Sequence, residues 1–550
     1  MLLAGRVHKE TAVTTSSPDV LVEKHDSYAS RKALALCMLL LAAVAWAGDV
    51  STYHNDNART GQNLEETALT LSNVNSTAFG KVFTMPVDGV IDAEPLYLSS
   101  VSIQGGTHNV VYAVTENDSV YAFDADNGAQ LWKVSVLGQG ETPSDTHSCS
   151  QITPEIGITA TPVIDRKIGP HGTIYVVGMS KTSQQYFQRI HALDMTTGQE
   201  QFGGPVTVKA KYPGNGDNSK NGFVIFDPHQ YAERQGLTLV NGVIYTAWTS
   251  HCDERPYTGW VIGYNAKTLK RTSVIDVVPN GSEGAIWQAG AGMAADGDGN
   301  LFFLDGNGDF DTSLDAKGFP VMGDYGNAMV KLSTTNRKLA VSDYFNMFNT
   351  VAESNSDEDF GSGGVLLLPP MTDASGKTRH LVLGAGKDQN IYIVNRKNMG
   401  KFDPHQNNIY QELDSALPGG LWSMPAYFNG NVYFGPQGGR LLQFQFSQAK
   451  LSNTFVSRSA TSFTYPGSTP SISANGTSNG ILWAIEHAGT SVLHAYDAGN
   501  LATELYNSNQ AAGSRDHFGS ASHFGTPMIA NGRVYVGTTN SVAVFGLIGQ

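Results

Sequence analysis

The chain has 550 residues, 41% of them hydrophobic and only 15% charged, which is ample for a large apolar core and excludes a disordered polymer. Its formal charge of -14 is spread along the sequence, and no Lys/Arg cluster is long enough to track a phosphate backbone, so nucleic acid is not an expected partner. With 60 glycines, 24 Phe and 22 Tyr, the composition points to an all-β chain of short strands and tight turns.

The first informative stretch is Arg31-Lys32, the apolar run ALALCMLLLAAVA, and Ala45-Trp46-Ala47 before Gly48. Basic residues, an apolar core and an A-x-A site in that order read as a secretory signal, so residues 1–47 are expected to be an N-terminal extension with signal. The run is too short for a stable transmembrane anchor, and Cys37 lies inside it rather than after it. A secreted or periplasmic chain is the expectation, with a bacterial periplasm favoured over a glycosylating host despite N-x-S/T triplets at Asn75, Asn117, Asn280 and Asn475. Beyond the signal only Cys149 and Cys252 remain, and no C-x-x-C exists to bind zinc.

Residues 48–77 form an N-terminal segment, and from residue 78 a repeat begins. Its clearest copy is VVYAVTENDSVYAFDADNGAQLWKVSV (110–136): strands of alternating apolar and polar residues, with Asn127-Gly128 supplying positive φ for a tight hairpin. AEPLYLSS upstream adds a fourth strand. The plan recurs, for example in TIYVVGMS, LTLVNGVIYTAW, NLFFLDGNG, HLVLGAGKDQNIYIVNRK, NVYFGPQGGRLLQF, GILWAIEHAGTSVLHAYDAGNL and GRVYVGTTNSVAVFGL, a period that signals a propeller. The last copy lacks its outer strand, and AFGKVFTMPVDG (78–89) resembles one. The predicted fold is therefore an eight-bladed β-propeller over 78–550, made of four-stranded antiparallel blades and closed by an N-terminal strand that completes the last blade.

Loops between blades and turns between second and third strands share one face of such a fold. That rule gathers Asp92, His229, Trp287, Asp359, Trp422 and His523 with Glu116, His251, Glu254, Asn307, Lys387 and His487 at the channel mouth. Cys149 and Cys252 fall on the same face, so a disulfide between them is allowed, as is a pair of buried thiols.

Units such as VYAFDADNGAQLWK resemble the repeat of pyrroloquinoline quinone (PQQ) proteins, from about residue 78 to the C-terminus. The resemblance to quinoprotein alcohol dehydrogenases implies PQQ and a calcium ion at the mouth. It places calcium ligands at Glu254 in ERPYTGWVIGY, Asn307 in FFLDGNGDF and Asp359 in DEDFGSGG, the last also the catalytic base. Lys387 in GKDQNIYIVNR matches the lysine that contacts the quinone, Trp287 and Trp422 fall near its flanking aromatics, and Asp92 near a carboxylate that touches it. Calcium takes such hard oxygen ligands, and an ionised Asp359 would accept the substrate hydroxyl proton as hydride passes to the quinone.

The sequence departs from that family in three ways. Its adjacent cysteine pair is missing, the arginine expected before the second blade is not found in GITATPV, and without C-x-x-C-H an external electron acceptor is implied. D-G-N-G-D-F-D at 305–311 also reads as a plain turn or as a local calcium loop. Two function classes result: an oxidoreductase acting on a small alcohol or sugar, and a non-catalytic propeller that binds a protein, peptide or glycan. A hydrolase using paired carboxylates of the acidic mouth is a third.

Overall fold

The computed structural model describes residues 48–549, so the signal segment and Cys37 lie outside the described residues. Among these, eight sheets carry at least four strands, and the α-helix is the short Thr350–Asn355. Taken in chain order, the first strands of the sheets are Leu96–Ile103, Val163–Asp165, Thr238–Val240, Ala294–Ala295, Leu366–Leu367, Ala426–Phe428, Ser471–Asn475 and Met528–Ala530. We number the sheets 1 to 8 by these strands. Within each sheet consecutive strands pair antiparallel, as in the blades of a β-propeller.

Sheet 1 follows the sequence pattern closely, with Gly106–Val114, Ser119–Asp124 and Gln130–Ser135 after its first strand. Of the Asn127-Gly128 pair, only Gly128 takes the left-handed conformation, at φ 78°. A Cβ at Gly128 would also lie 2.9 Å from the Phe83 ring, so glycine is required there both by conformation and by close approach. Phe83 belongs to Phe79–Pro86, the strand that sequence symmetry offers to the last repeat. It pairs antiparallel with Ser541–Leu547 and is the fourth strand of sheet 8.

The hydrophobic clusters join neighbours face to face. Val544 and Tyr535 of sheet 8 pack in one cluster with Tyr112 of sheet 1 and Val176 of sheet 2. Other clusters join sheet 2 to 3, 3 to 4, 4 to 5, 5 to 6, 6 to 7 and 7 to 8. A buried tyrosine in the second strand repeatedly ties one sheet to the next. The hydroxyls of Tyr112, Tyr175 and Tyr433 donate to the carbonyls of Met195, Ala266 and Ala498 at 2.9, 2.7 and 2.6 Å. Each acceptor ends the third strand of the following sheet, where the tyrosine both fills apolar space and satisfies a buried carbonyl. Trp132, in the edge strand Gln130–Ser135 of sheet 1, is 8% exposed, and its indole N–H donates to the Met195 carbonyl at 3.2 Å.

Candidate functional site

One cavity, with an empty volume of about 400 Å³, is lined by residues from many sheets. The segment before sheet 2 supplies Gln151, that before sheet 3 Arg234, before sheet 4 Trp287 and Ala289, and before sheet 5 Asp359 and Ser362. Trp422, Tyr465 and Phe524 come from the segments before sheets 6, 7 and 8. Asp253 and Lys387 join them from the turns after the second strands of sheets 3 and 5. A smaller adjoining cavity shares Arg234 and Phe524 and adds Asp92, from the segment before sheet 1. The segments before sheets 2 to 8 thus meet at one place, and the segment before sheet 1 reaches the cavity beside it.

Asp359 lies at the centre of the polar side of this cavity. It is 4% exposed and precedes the short turn Phe360–Ser362. Its Oδ1 accepts the Asn307 backbone N–H at 2.5 Å, and its Oδ2 pairs with the Lys387 ammonium at 2.5 Å. Burial pushes the carboxyl up, the Lys387 charge pulls it down, and the result is about 6. Burial lowers Lys387, but its pairing with Asp359 and with Asp357 at 2.7 Å outweighs this and raises it. At neutral pH the pair is an ammonium and a carboxylate. The Asn307 side-chain oxygen is buried without a hydrogen-bond partner, an acceptor left open beside a carboxylate.

Trp287 forms an aromatic wall next to this pair. Gly306 makes the approach possible, since a Cβ there would lie 2.7 Å from the indole and 3.0 Å from Asp359 Oδ1. Behind Trp287 the backbone of Gln288 and Ala289 has positive φ, at 41° and 54°. The buried Gln288 amide holds that strained turn, accepting the Leu304 N–H at 3.0 Å and donating to Gln235 at 3.1 Å. Trp422, half-buried, meets Tyr465 edge to face at 5.8 Å between ring centroids.

A second polar group faces the first across the cavity wall. The Arg234 guanidinium is 5% exposed, donates to Gln151 Oε1 at 2.8 Å and lies 4.2 Å from the centroid of the Phe524 ring. Most of its donors remain available to an anion in the cavity. Glu116, fully buried, accepts from Gly157 and Thr159 at 2.7 and 3.0 Å. Burial and the neighbouring Asp92 charge push its carboxyl well above the usual carboxylate range.

The sequence-based set divides accordingly. Asp359, Lys387, Trp287 and Trp422 come together in one cavity, Asn307 backs it, and Asp92 lies in the adjoining one. Glu254 does not join them: its side chain is exposed, and its carbonyl accepts from Gln230, while the preceding residue Asp253 lines the cavity. No group of three His, Cys, Asp or Glu side chains is arranged to hold a metal among the described residues. Sequence reasoning missed Arg234, which sits before sheet 3 rather than sheet 2, and also missed Tyr465 and Phe524. The signal for Arg234 was a lone basic residue in AERQGL, adjacent to a strand that reads as fully apolar.

Cys149 and Cys252 are bonded, with a sequence separation of 103 and Cα atoms 5.6 Å apart. Beside them His147 stacks on His251 at 3.9 Å and meets His229 at 4.7 Å. Burial and the two neighbouring rings push His251 down to about 3, so it is neutral.

No protein-family model matches the chain, and no curated protein matches it in sequence. Solved structures do match. The quinohemoprotein alcohol dehydrogenase ADHIIG of Pseudomonas putida HK5 superposes with a TM-score of 0.59 at 15% identity, over 92% of this chain and 81% of that one. The fold is that of these dehydrogenases. The quinohemoprotein alcohol dehydrogenase of Comamonas testosteroni gives 0.57 at 16% identity, over 91% and 80% of the two chains. A europium-containing methanol dehydrogenase gives 0.56 at 12%, over 91% and 98%. Among the described residues no helix is long and apolar enough to cross a membrane.

Proposed function

We propose that the eight sheets close into one eight-bladed propeller and that the central cavity binds a PQQ-type quinone, making the chain a quinoprotein oxidoreductase for a small alcohol or sugar. The observation that carries this reading is the convergence of Trp287, Asp359, Lys387 and Trp422 from successive segments on one cavity, in the order the dehydrogenase resemblance implies. Closure is supported by the clusters that return from sheet 8 to sheet 1 and by the pairing of Phe79–Pro86 with Ser541–Leu547.

The residues present suit the quinone. Trp287 and Trp422 offer flat faces, and Arg234 and Lys387 offer cations to its carboxylates and carbonyls. The quinone, when bound, supplies an acceptor for the hydride leaving the alcohol carbon. Asp359, ionised above about pH 6, takes the hydroxyl proton, and Lys387 holds it in place. With no C-x-x-C-H for a fused haem, an external electron acceptor would be needed. For calcium the fit is partial: Asn307 Oδ1 is an open acceptor, whereas both Asp359 oxygens already have partners and the exposed Glu254 does not line the cavity. An oxidising compartment, periplasmic or extracellular, accords with the Cys149–Cys252 bond.

A binding propeller without turnover is the second reading, for a protein or glycan partner. It is favoured by the position of Glu254 and by the prior engagement of both Asp359 oxygens. Reconstitution with PQQ and calcium, followed by dye reduction with a panel of alcohols and sugars, separates the two. Turnover lost in Asp359→Asn is the expected result, whereas a parent chain that shows neither bound quinone nor turnover would overturn the first reading in favour of the second.

A further inference from the structure

Apart from Ser471–Asn475 of sheet 7, whose second neighbour is the N-terminal strand Gln62–Asn63, the first strand of each sheet has one neighbour within its sheet, so its other edge presents backbone groups unpaired by that sheet. In this chain a single N-terminal segment meets those edges one after another. Val50 exchanges hydrogen bonds with Tyr97 in sheet 1 at 2.8 and 2.9 Å, and the Ser51 carbonyl accepts from Ile164 in sheet 2 at 2.9 Å. The Asn57 side-chain amide donates to Leu239 in sheet 3 at 3.0 Å, while its carbonyl accepts from Ala295 in sheet 4 at 2.6 Å. The carbonyls of Ala58, Thr60 and Gly61 accept from Leu367, Tyr427 and Ile472, in sheets 5, 6 and 7, at 3.0, 2.9 and 2.7 Å. Asn63 then donates to Ile529 in sheet 8 at 2.9 Å.

The centre of this segment is Arg59, fully buried. Its guanidinium donates to Tyr53 O, Thr52 Oγ1 and Asp56 O within the segment, at 2.8, 2.9 and 3.3 Å. It also donates to Thr238 Oγ1 of sheet 3 at 2.7 Å and to Met293 O, just before sheet 4, at 3.1 Å. The neighbouring Tyr53 lines the cavity that holds Asp92 and Arg234.

We infer that residues 50–66 are an internal clasp, which caps the free edges of all eight first strands in order and, through Tyr53, floors the cavity. The blades are otherwise joined pairwise, by packing and hydrogen bonds between neighbours, by the Cys149–Cys252 bond and by the strand completing sheet 8. The clasp adds hydrogen bonds from one continuous segment to every blade, through its backbone to six of them and through the Asn57 and Asn63 side chains to sheets 3 and 8, so the ring cannot open at any one interface without releasing it. This inference does not depend on the quinone reading.

The test uses the full chain with a protease recognition sequence inserted in the exposed turn between Leu71 and Ser72, cut after folding. The fragment ending at Leu71 is expected to co-elute with the body and to leave only when the body unfolds. In the same cut chain Arg59→Met should speed its release at least about tenfold, since several buried hydrogen bonds are lost. Departure of the fragment with no change in the melting temperature of the body would overturn the inference. Should cutting unfold the chain outright, amide exchange on the uncut chain decides. The amides of Ile164, Ala295, Leu367, Tyr427 and Ile472 should be protected at least about a hundredfold more than those of the 311–322 loop, and exchange at the loop rate would overturn it.

Discussion

Replacing Lys387 by methionine removes the cation that faces Asp359 at 2.5 Å while keeping most of the side-chain volume. With Lys387 in place the carboxyl titrates at about 6, already raised by burial. An opposite charge at such range lowers a carboxylate by roughly 1 to 3 pKa units, so Lys387→Met should place Asp359 at roughly 7 to 9. The sign for stability follows from the same shift. A folded-state value of about 6 against an ordinary 3.8 means that the folded chain holds this proton more tightly than the unfolded one. The stability linked to it is full below about pH 4 and is lost by about pH 6, a change of roughly 3 kcal/mol. In Lys387→Met the loss should continue to higher pH. Difference infrared titration, with Asp359→Asn as the reference, reads the protonated carboxyl directly and needs no ligand. An unchanged midpoint, or no protonated carboxyl near neutral pH in Lys387→Met, would refute the assignment of this pair.

Other expectations follow from the framework around the site. Removing the disulfide by Cys252→Ser should lower the denaturation midpoint, by up to about 4 to 5 kcal/mol for a loop of this length in the chain-entropy model. Tyr433→Phe should cost about 1 to 3 kcal/mol in chemical denaturation, because the buried Ala498 carbonyl loses its donor. His494 lies between Glu504 at 2.7 Å and Glu486 at 3.2 Å. Burial lowers its pKa, but bonding to the two carboxylates outweighs this and raises it. Its stabilising contribution should be complete below about pH 6.5 and be lost as pH rises through the raised folded value. Thermal melts of His494→Gln should lack that loss.

The architecture was legible because each repeat carries its own local instructions. Alternation in VYAFDA set the strand faces, Gly128 set the hairpin, and the unmatched strand at 78–89 found the incomplete sheet 8. Most of the cavity was legible for a related reason, since the segments before successive sheets must share a face. Three features were not. Glu254 and Asp253 are adjacent in one polar loop, and residue type alone does not distinguish which of them lines the cavity. Arg234 lines the cavity from the segment before sheet 3, one sheet after the place where the resemblance leads one to expect an arginine. Residues 50–66 carry no strand periodicity, because a segment crossing from sheet to sheet makes only one or two hydrogen bonds to most of them and a short parallel pairing at Gln62–Asn63 with sheet 7.

The central claim is that the cavity holds a quinone, and equilibrium titration of the purified protein with PQQ and calcium tests it most directly. Trp287 and Trp422 line the cavity, so their fluorescence should be quenched to saturation at one quinone per chain, with Arg234→Ala weakening binding at least about tenfold. Quenching that never saturates, or that is unchanged in Arg234→Ala and in Trp287→Leu, would contradict the account.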